Sequence, residues 1–136
     1  MKSGVLDANV LLRFFLQDDL KQSQAVTSFF NKAAGQDMDL ILQDASVAEA
    51  TFVMEKVYRR TRAQIADALL DFIQHPFIMQ QSPGVLGDAL LRYRAHPVDF
   101  PDALVAALAA AKGIPSVSFD RDLDRFPDVR RIEPKN

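Results

Sequence analysis

Apolar residues along this chain recur in two rhythms, and the switches between them mark its elements. Val5 and Leu6 form a short apolar segment, after which Val10, Leu11, Phe14 and Phe15 follow at helical spacing. A strand therefore feeds a helix near Asp7. Residues 20–34 repeat the helical rhythm, with Val26, Phe29, Phe30 and Ala33 on one face and Gly35 as a stop signal. Leu40, Ile41 and Leu42 read as the next buried strand. Helical spacing then predicts a helix from Ser46 to about Arg60 and another over 61–74, with Ile65, Leu69, Phe72 and Ile73 facing inward. His75-Pro76 breaks that helix, residues 77–79 are a third candidate strand, residues 85–94 form a helix, and His96-Pro97 is a second breaker. A helix opens near Asp99 and closes at Gly113, and residues 115–119 and 129–132 read as the last strands. Strands alternating with helices predict an α/β layer fold with a mainly parallel sheet.

Composition narrows the functional classes. With 136 residues, 49% apolar and 25% charged, the chain is expected to form one globular domain over residues 1–136. Ten Phe and no Trp supply the bulky core material. The absence of Cys excludes disulfides, thiolate zinc sites, cysteine nucleophiles and iron–sulfur clusters, and fits a reducing compartment. Asp7, Asn9 and Arg13 interrupt the apolar N-terminal stretch, which argues against a secretory signal. The longest apolar run, residues 103–111, is about half of the roughly 20 residues that a bilayer span requires. A cytoplasmic protein is expected. The formal charge of −2 argues against a polybasic binder, and no glycine-rich phosphate loop occurs.

The chemistry rests on carboxylates. Ligands of open α/β sheets bind beyond the carboxyl ends of strands, and Asp7 and Asp120 both follow predicted strands. Each is equally well read as a helix cap. Glu49 has Ala45, Ser46, Phe52 and Val53 as its helical neighbours, none of which pairs with a carboxylate, whereas Glu55 has Arg59 four residues on. If its face is inside, Glu49 belongs to a metal or hydrogen-bond cluster; if outside, it carries little meaning. Asp99-Phe100-Pro101-Asp102 opens the alanine-rich helix with proline in its first turn, which explains Asp99 as part of a helix start better than it explains Asp102. Ser118-Phe119-Asp120-Arg121-Asp122 sets two acids on alternate positions after a strand, with Asp124 beyond them.

Taken together these segments resemble the PIN-domain ribonucleases, and among them the small VapC-like toxins of bacterial and archaeal toxin–antitoxin pairs. The residues from Val5 to Leu12 look like the family's opening strand and its D-x-N, Glu49 stands where the family places its helix glutamate, Asp99-Phe100-Pro101-Asp102-Ala103 is similar to its D-x-x-D-A, and Ser118-Phe119-Asp120-Arg121-Asp122 to its closing S-x-D-x-D. The order of the four motifs and the length of the chain agree with the resemblance. It implies a three-layer fold with a central, mainly parallel sheet of four to five strands flanked by helices. It also implies that Asp7, Glu49, Asp102 and Asp120 form the catalytic, metal-holding set, with Asn9, Asp99, Ser118 and Asp122 as auxiliary residues. The implied cofactor is magnesium or manganese, which suits hard carboxylate oxygens.

The resemblance further implies endonucleolytic hydrolysis of RNA, a homodimer, and a small antitoxin that occupies the active-site groove. Lys56, Arg59, Arg60 and Arg62 are candidate RNA contacts, although a solvated helix end is the plainer reading of that run. Both histidines precede proline in predicted loops and make a poor acid–base pair, so no metal-free ribonuclease arrangement presents itself. Two other classes stay open: a catalytically silent PIN-like module that binds RNA or protein, and another metal-dependent nuclease acting on DNA. Setting aside the −4 of the four proposed ligands turns the overall −2 into +2, a mildly basic body around an acidic site.

Overall fold

A computed structural model describes residues 2–136 and resolves into two compact units, Met1–Gln81 and Ser82–Asn136. The first unit runs β1 (Ser3–Val5), α1 (Ala8–Leu16), α2 (Leu20–Gly35), β2 (Asp39–Leu42), α3 (Asp44–Lys56), α4 (Arg62–Phe72) and β3 (Ile78–Gln80). Its three strands lie in the order β1-β2-β3, all parallel, with Gly4 beside Leu40 and Leu40 beside Ile78. Leu40, Leu42 and Ile78 point into the core, whereas Val5, Ile41 and Met79, adjacent in register, are exposed. The expectation that Leu40, Ile41 and Leu42 are buried together is thus corrected. Side chains alternate along a strand, and Ile41 falls on the uncovered face.

Phenylalanine holds this core together. Phe30 meets Phe14 at 5.0 Å, Phe72 at 5.4 Å and Phe77 at 5.8 Å between ring centroids, and Phe15 meets Phe72 edge-on at 5.5 Å. Such pairs add about 0.5–1.5 kcal/mol each beyond the area they bury. The helices around them begin on matched caps. Asp19 accepts from the Gln22 N–H at 3.1 Å, and Thr61 and Gln64 form a reciprocal capping box at the start of α4. That box also shortens α3, which ends at Lys56 and not near Arg60 as the spacing suggested. Arg59 takes a left-handed conformation with φ 56°, and the chain is turned into the Thr61 cap before the helical rhythm runs out.

The second unit comprises α5 (Val85–Ala95), α6 (Phe100–Lys112), β4 (Ser116–Val117), a 3-10 turn over Arg121–Arg125, and β5 (Arg131–Ile132). β4 and β5 form a separate parallel pair, shorter than the strands expected over 115–119 and 129–132. α5 packs along α6 with Leu86, Ala89, Leu90 and Tyr93 against Ala103, Ala106 and Ala107, all fully buried. The alanines let the two backbones approach closely. Beneath them Arg92 is held by Asp88 and, through both terminal nitrogens, by Asp128, and it lies 5.2 Å over the Phe126 ring. No helix among the described residues is long and apolar enough to cross a membrane.

α6 ends at Gly113, whose φ of 64° is left-handed and whose N–H returns to the Ala109 and Ala110 carbonyls. A Cβ there would meet open space, so only the backbone conformation resists it. Gly113→Ala is therefore expected to cost about 1 kcal/mol in urea unfolding, with no change in fold. An unchanged midpoint would contradict the cap.

Candidate metal centre

Asp102 occupies the third position of α6, after Phe100 and Pro101. Asp99 precedes the helix at its cap position, but its side chain makes no cap hydrogen bond and leaves its charge beside the helix start. Asp120 follows β4 and caps the 3-10 turn, its Oδ1 accepting from the Asp122 N–H at 2.9 Å. The Asp120 N–H in turn donates to Ser118 Oγ at 2.9 Å. Capping and metal binding are compatible here, because a carboxylate presents two oxygens with several lone pairs. Leu123, almost fully buried, fixes the turn from beneath.

These short-range constraints bring carboxylate oxygens of Asp102, Asp120 and Asp122 within 4.8 Å of one another. Asp122, expected only as an auxiliary acid, is thus a full member of the group. The spacing of two acids across a tight turn carried that information, since the turn folds the second acid back toward the first. Asp124 is drawn away from the group to Arg131.

Crowding appears in the protonation of Asp102. A position in the first turn of a helix favours a charged carboxylate. Partial burial overrides that preference, and the charge of Asp120, a hydrogen bond with it, and the charges of Asp99 and Asp122 act in the same direction, pushing Asp102 up to about 6 from 3.8. Three converging carboxylates form an all-oxygen donor set that fits a hard divalent ion such as magnesium or manganese. Its charge would relieve the same repulsion that raises Asp102.

The remaining site candidates lie in the first unit. Asp7 caps α1, its Oδ1 accepting from the Ala8 N–H at 2.9 Å, and is exposed. Ser46 Oγ donates to the Leu6 carbonyl at 3.3 Å, so the start of α3 is fastened to the end of β1 beside Asp7. Glu49, three residues after Ser46 on that helix, is exposed, the case in which its position alone carries little meaning. Asn9 is exposed and lines a shallow groove with Arg13 and Val26. Lys56 pairs with Glu55 at 2.9 Å and Arg62 with the same carboxylate at 3.7 Å, while Arg59 and Arg60 are exposed in the turn between α3 and α4. One acid escaped the sequence reading. Asp44 opens α3 directly after β2, its Oδ1 is buried without a hydrogen-bond partner, and burial raises its carboxyl. The same reasoning that selected Asp7, an acid just beyond a strand, would have found it.

Residues 4–129 match the model of the PIN domain family. The chain belongs to that family, whose fold is of the nuclease type and commonly metal-dependent. No match to a curated protein accompanies it.

Because folding raises the Asp102 pKa from 3.8 to about 6, the folded state holds this proton more tightly than the unfolded chain. The stability contributed by that proton is present below about pH 4 and is lost as pH rises through about 6. Asp102→Asn removes the repulsion while keeping the shape, and is expected to raise the metal-free Tm at pH 7 by roughly 2–5 °C once solvent screening is allowed for. Calorimetry should show Mn2+ affinity falling about tenfold per pH unit below about 6 in the wild type and lost in the variant. A Tm lowered by Asp102→Asn would contradict the crowding.

Proposed function

We propose that the protein is a magnesium- or manganese-dependent endoribonuclease that hydrolyses RNA phosphodiester bonds in the cytoplasm, as the toxin of a toxin–antitoxin pair. The observation that carries this reading is the convergence of Asp102, Asp120 and Asp122 within 4.8 Å in a chain of the PIN family. A divalent ion held there supplies positive charge to offset the charge that builds on the phosphoryl oxygens and the leaving oxygen. Asp102 comes from the first turn of α6 and Asp122 from the 3-10 turn, so two separate elements hold the group. Asp120 joins them while fixing the turn. Asp99, whose charge already acts on Asp102, adds to the local negative field.

Asp7 and Glu49 enter the reaction through the family resemblance and through their placement beyond β1 and on the helix fastened to it. The reading treats residues 1–136 as one PIN domain, since the family match runs through both units. Arg59 and Arg60 are the members of the basic run best placed to meet phosphates, because Lys56 and Arg62 are engaged by Glu55. A homodimer and a small antitoxin complete the proposal. An antitoxin arginine presented to the three acids would bind through charge-assisted hydrogen bonds.

Cleavage of single-stranded RNA, single-stranded DNA and flapped DNA in Mg2+ or Mn2+ tests the assignment. RNA should be cut internally, chelator should abolish cutting, and Asp7→Asn, Asp102→Asn and Asp120→Asn should each lower kcat on the order of 10²–10³-fold in folded protein. Preference for flapped DNA would overturn the RNA assignment, and metal binding without any cleavage would point to a silent binding module. Undiminished cleavage by Asp7→Asn would remove that residue from the set.

A further inference from the structure

The loop that carries Asp120 and Asp122 is gripped at both ends by one side chain. Arg131, on β5, donates from Nε to Asp124 Oδ1 at 3.0 Å and from Nη2 to Asp124 Oδ2 at 3.1 Å. Its Nη1 donates to the Ser118 carbonyl at 3.0 Å and to Glu133 Oε1 at 3.2 Å. Ser118 stands two residues before Asp120 and Asp124 two residues after Asp122, on either side of both candidate ligands. Ser118 is further fixed by its own N–H, which donates to the Ile132 carbonyl at 3.0 Å, and by its Oγ, which accepts from the Asp120 N–H. The Arg131 side chain is only 13% exposed although Asp124 is 53% exposed, so most of the arginine is covered while its carboxylate partner stays at the surface.

We propose that Arg131 is a positioning residue for the metal centre, setting the separation of Ser118 and Asp124 and through them the places of Asp120 and Asp122. This inference rests on the reading of Asp102, Asp120 and Asp122 as metal ligands. A planar guanidinium reaches both anchors at once in a fixed fork, which a lysine ammonium, a single point charge on a flexible stem, does not reproduce. Charge alone would act in the opposite sense. Arg131 places a positive group near the acids, so its removal should tighten cation binding if only electrostatics mattered. If geometry dominates, removal weakens binding. Asp124 does not separate the two effects, because its loss breaks the fork from the other side but also removes a negative charge, so geometry and charge both weaken binding there.

The experiment is Mn2+ titration calorimetry, well below the melting temperature, on the wild type, Arg131→Gln, Arg131→Lys and Asp124→Asn, with Arg92→Gln as a variant that loosens the same unit through Asp128. Arg131→Gln and Asp124→Asn are each expected to weaken Mn2+ binding about tenfold or more, with Arg131→Lys in between. The Arg131→Gln, Asp124→Asn double variant should lose little beyond either single one, since both break one fork. Arg92→Gln should lower Tm and leave the Mn2+ Kd within about twofold. On RNA, kcat should fall while KM stays unchanged. Arg131→Gln binding Mn2+ as tightly as the wild type, or more tightly, overturns the inference, as does a rise in KM with kcat intact, which would make Arg131 an RNA contact. If Arg131→Gln does not fold, Arg131→Lys decides, since it keeps the charge and loses the fork: Mn2+ binding as tight as in the wild type overturns the inference. Absence of Mn2+ binding in the wild type overturns the metal-site reading itself and this inference with it.

Discussion

Holding the carboxylates of Asp102, Asp120 and Asp122 within 4.8 Å of one another is unfavourable in the absence of a cation, because like charges at that range repel. Partial burial and that repulsion together push Asp102 up to about 6. Folding of the second unit must therefore supply enough packing energy to keep three acids together that would separate in a free chain. The same repulsion makes the site useful. A divalent ion held by these three acids would convert it into attraction.

The second unit opposes that repulsion from several sides. The alanine-rich face of α6 lies flush against α5 and fixes the helix whose first turn carries Asp102. Leu123 and Phe126 are buried under the turn that carries Asp120 and Asp122. Arg92 fastens Asp128, just past that turn, to α5, and Arg131 fastens Asp124 and the end of β4. Both guanidiniums are nearly buried and make bidentate contacts, the setting in which an ion pair contributes beyond the small value of an exposed one. Asp88, Asp124 and Asp128 are thus paired with these two guanidiniums, whereas Asp102, Asp120 and Asp122 converge on one another, with Asp122 also 3.6 Å from Arg125.

Much of this arrangement was legible along the chain. Among the described residues, six α-helices and five strands follow the two hydrophobic rhythms and their proline and glycine stops, because those signals are local. The acids stood out for the same reason: Asp102 at a helix start and Asp120 past a strand are marked by position alone. What escaped depends on partners distant in sequence or on competition between neighbours. Whether Ile41 faces inside or out is decided by which sheet face is covered, not by its own hydrophobicity. The end of α3 is decided by the Thr61 capping box. Asp122 and Asp124 look alike in sequence, but the fork of Arg131, seven residues beyond Asp124, takes Asp124 as an anchor, while Asp122 lies with Asp102 and Asp120. No periodicity encodes such a pairing.

The central claim is that the cluster of Asp102, Asp120 and Asp122 is where this PIN domain binds its divalent ion. The most direct measurement is anomalous diffraction at the manganese edge from crystals of the wild-type protein grown with Mn2+. The account predicts an anomalous peak about 2.2 Å from carboxylate oxygens of at least one or two of these residues, with the others reaching it through water. A peak elsewhere on the chain, or none at a manganese concentration that supports cleavage, would contradict it.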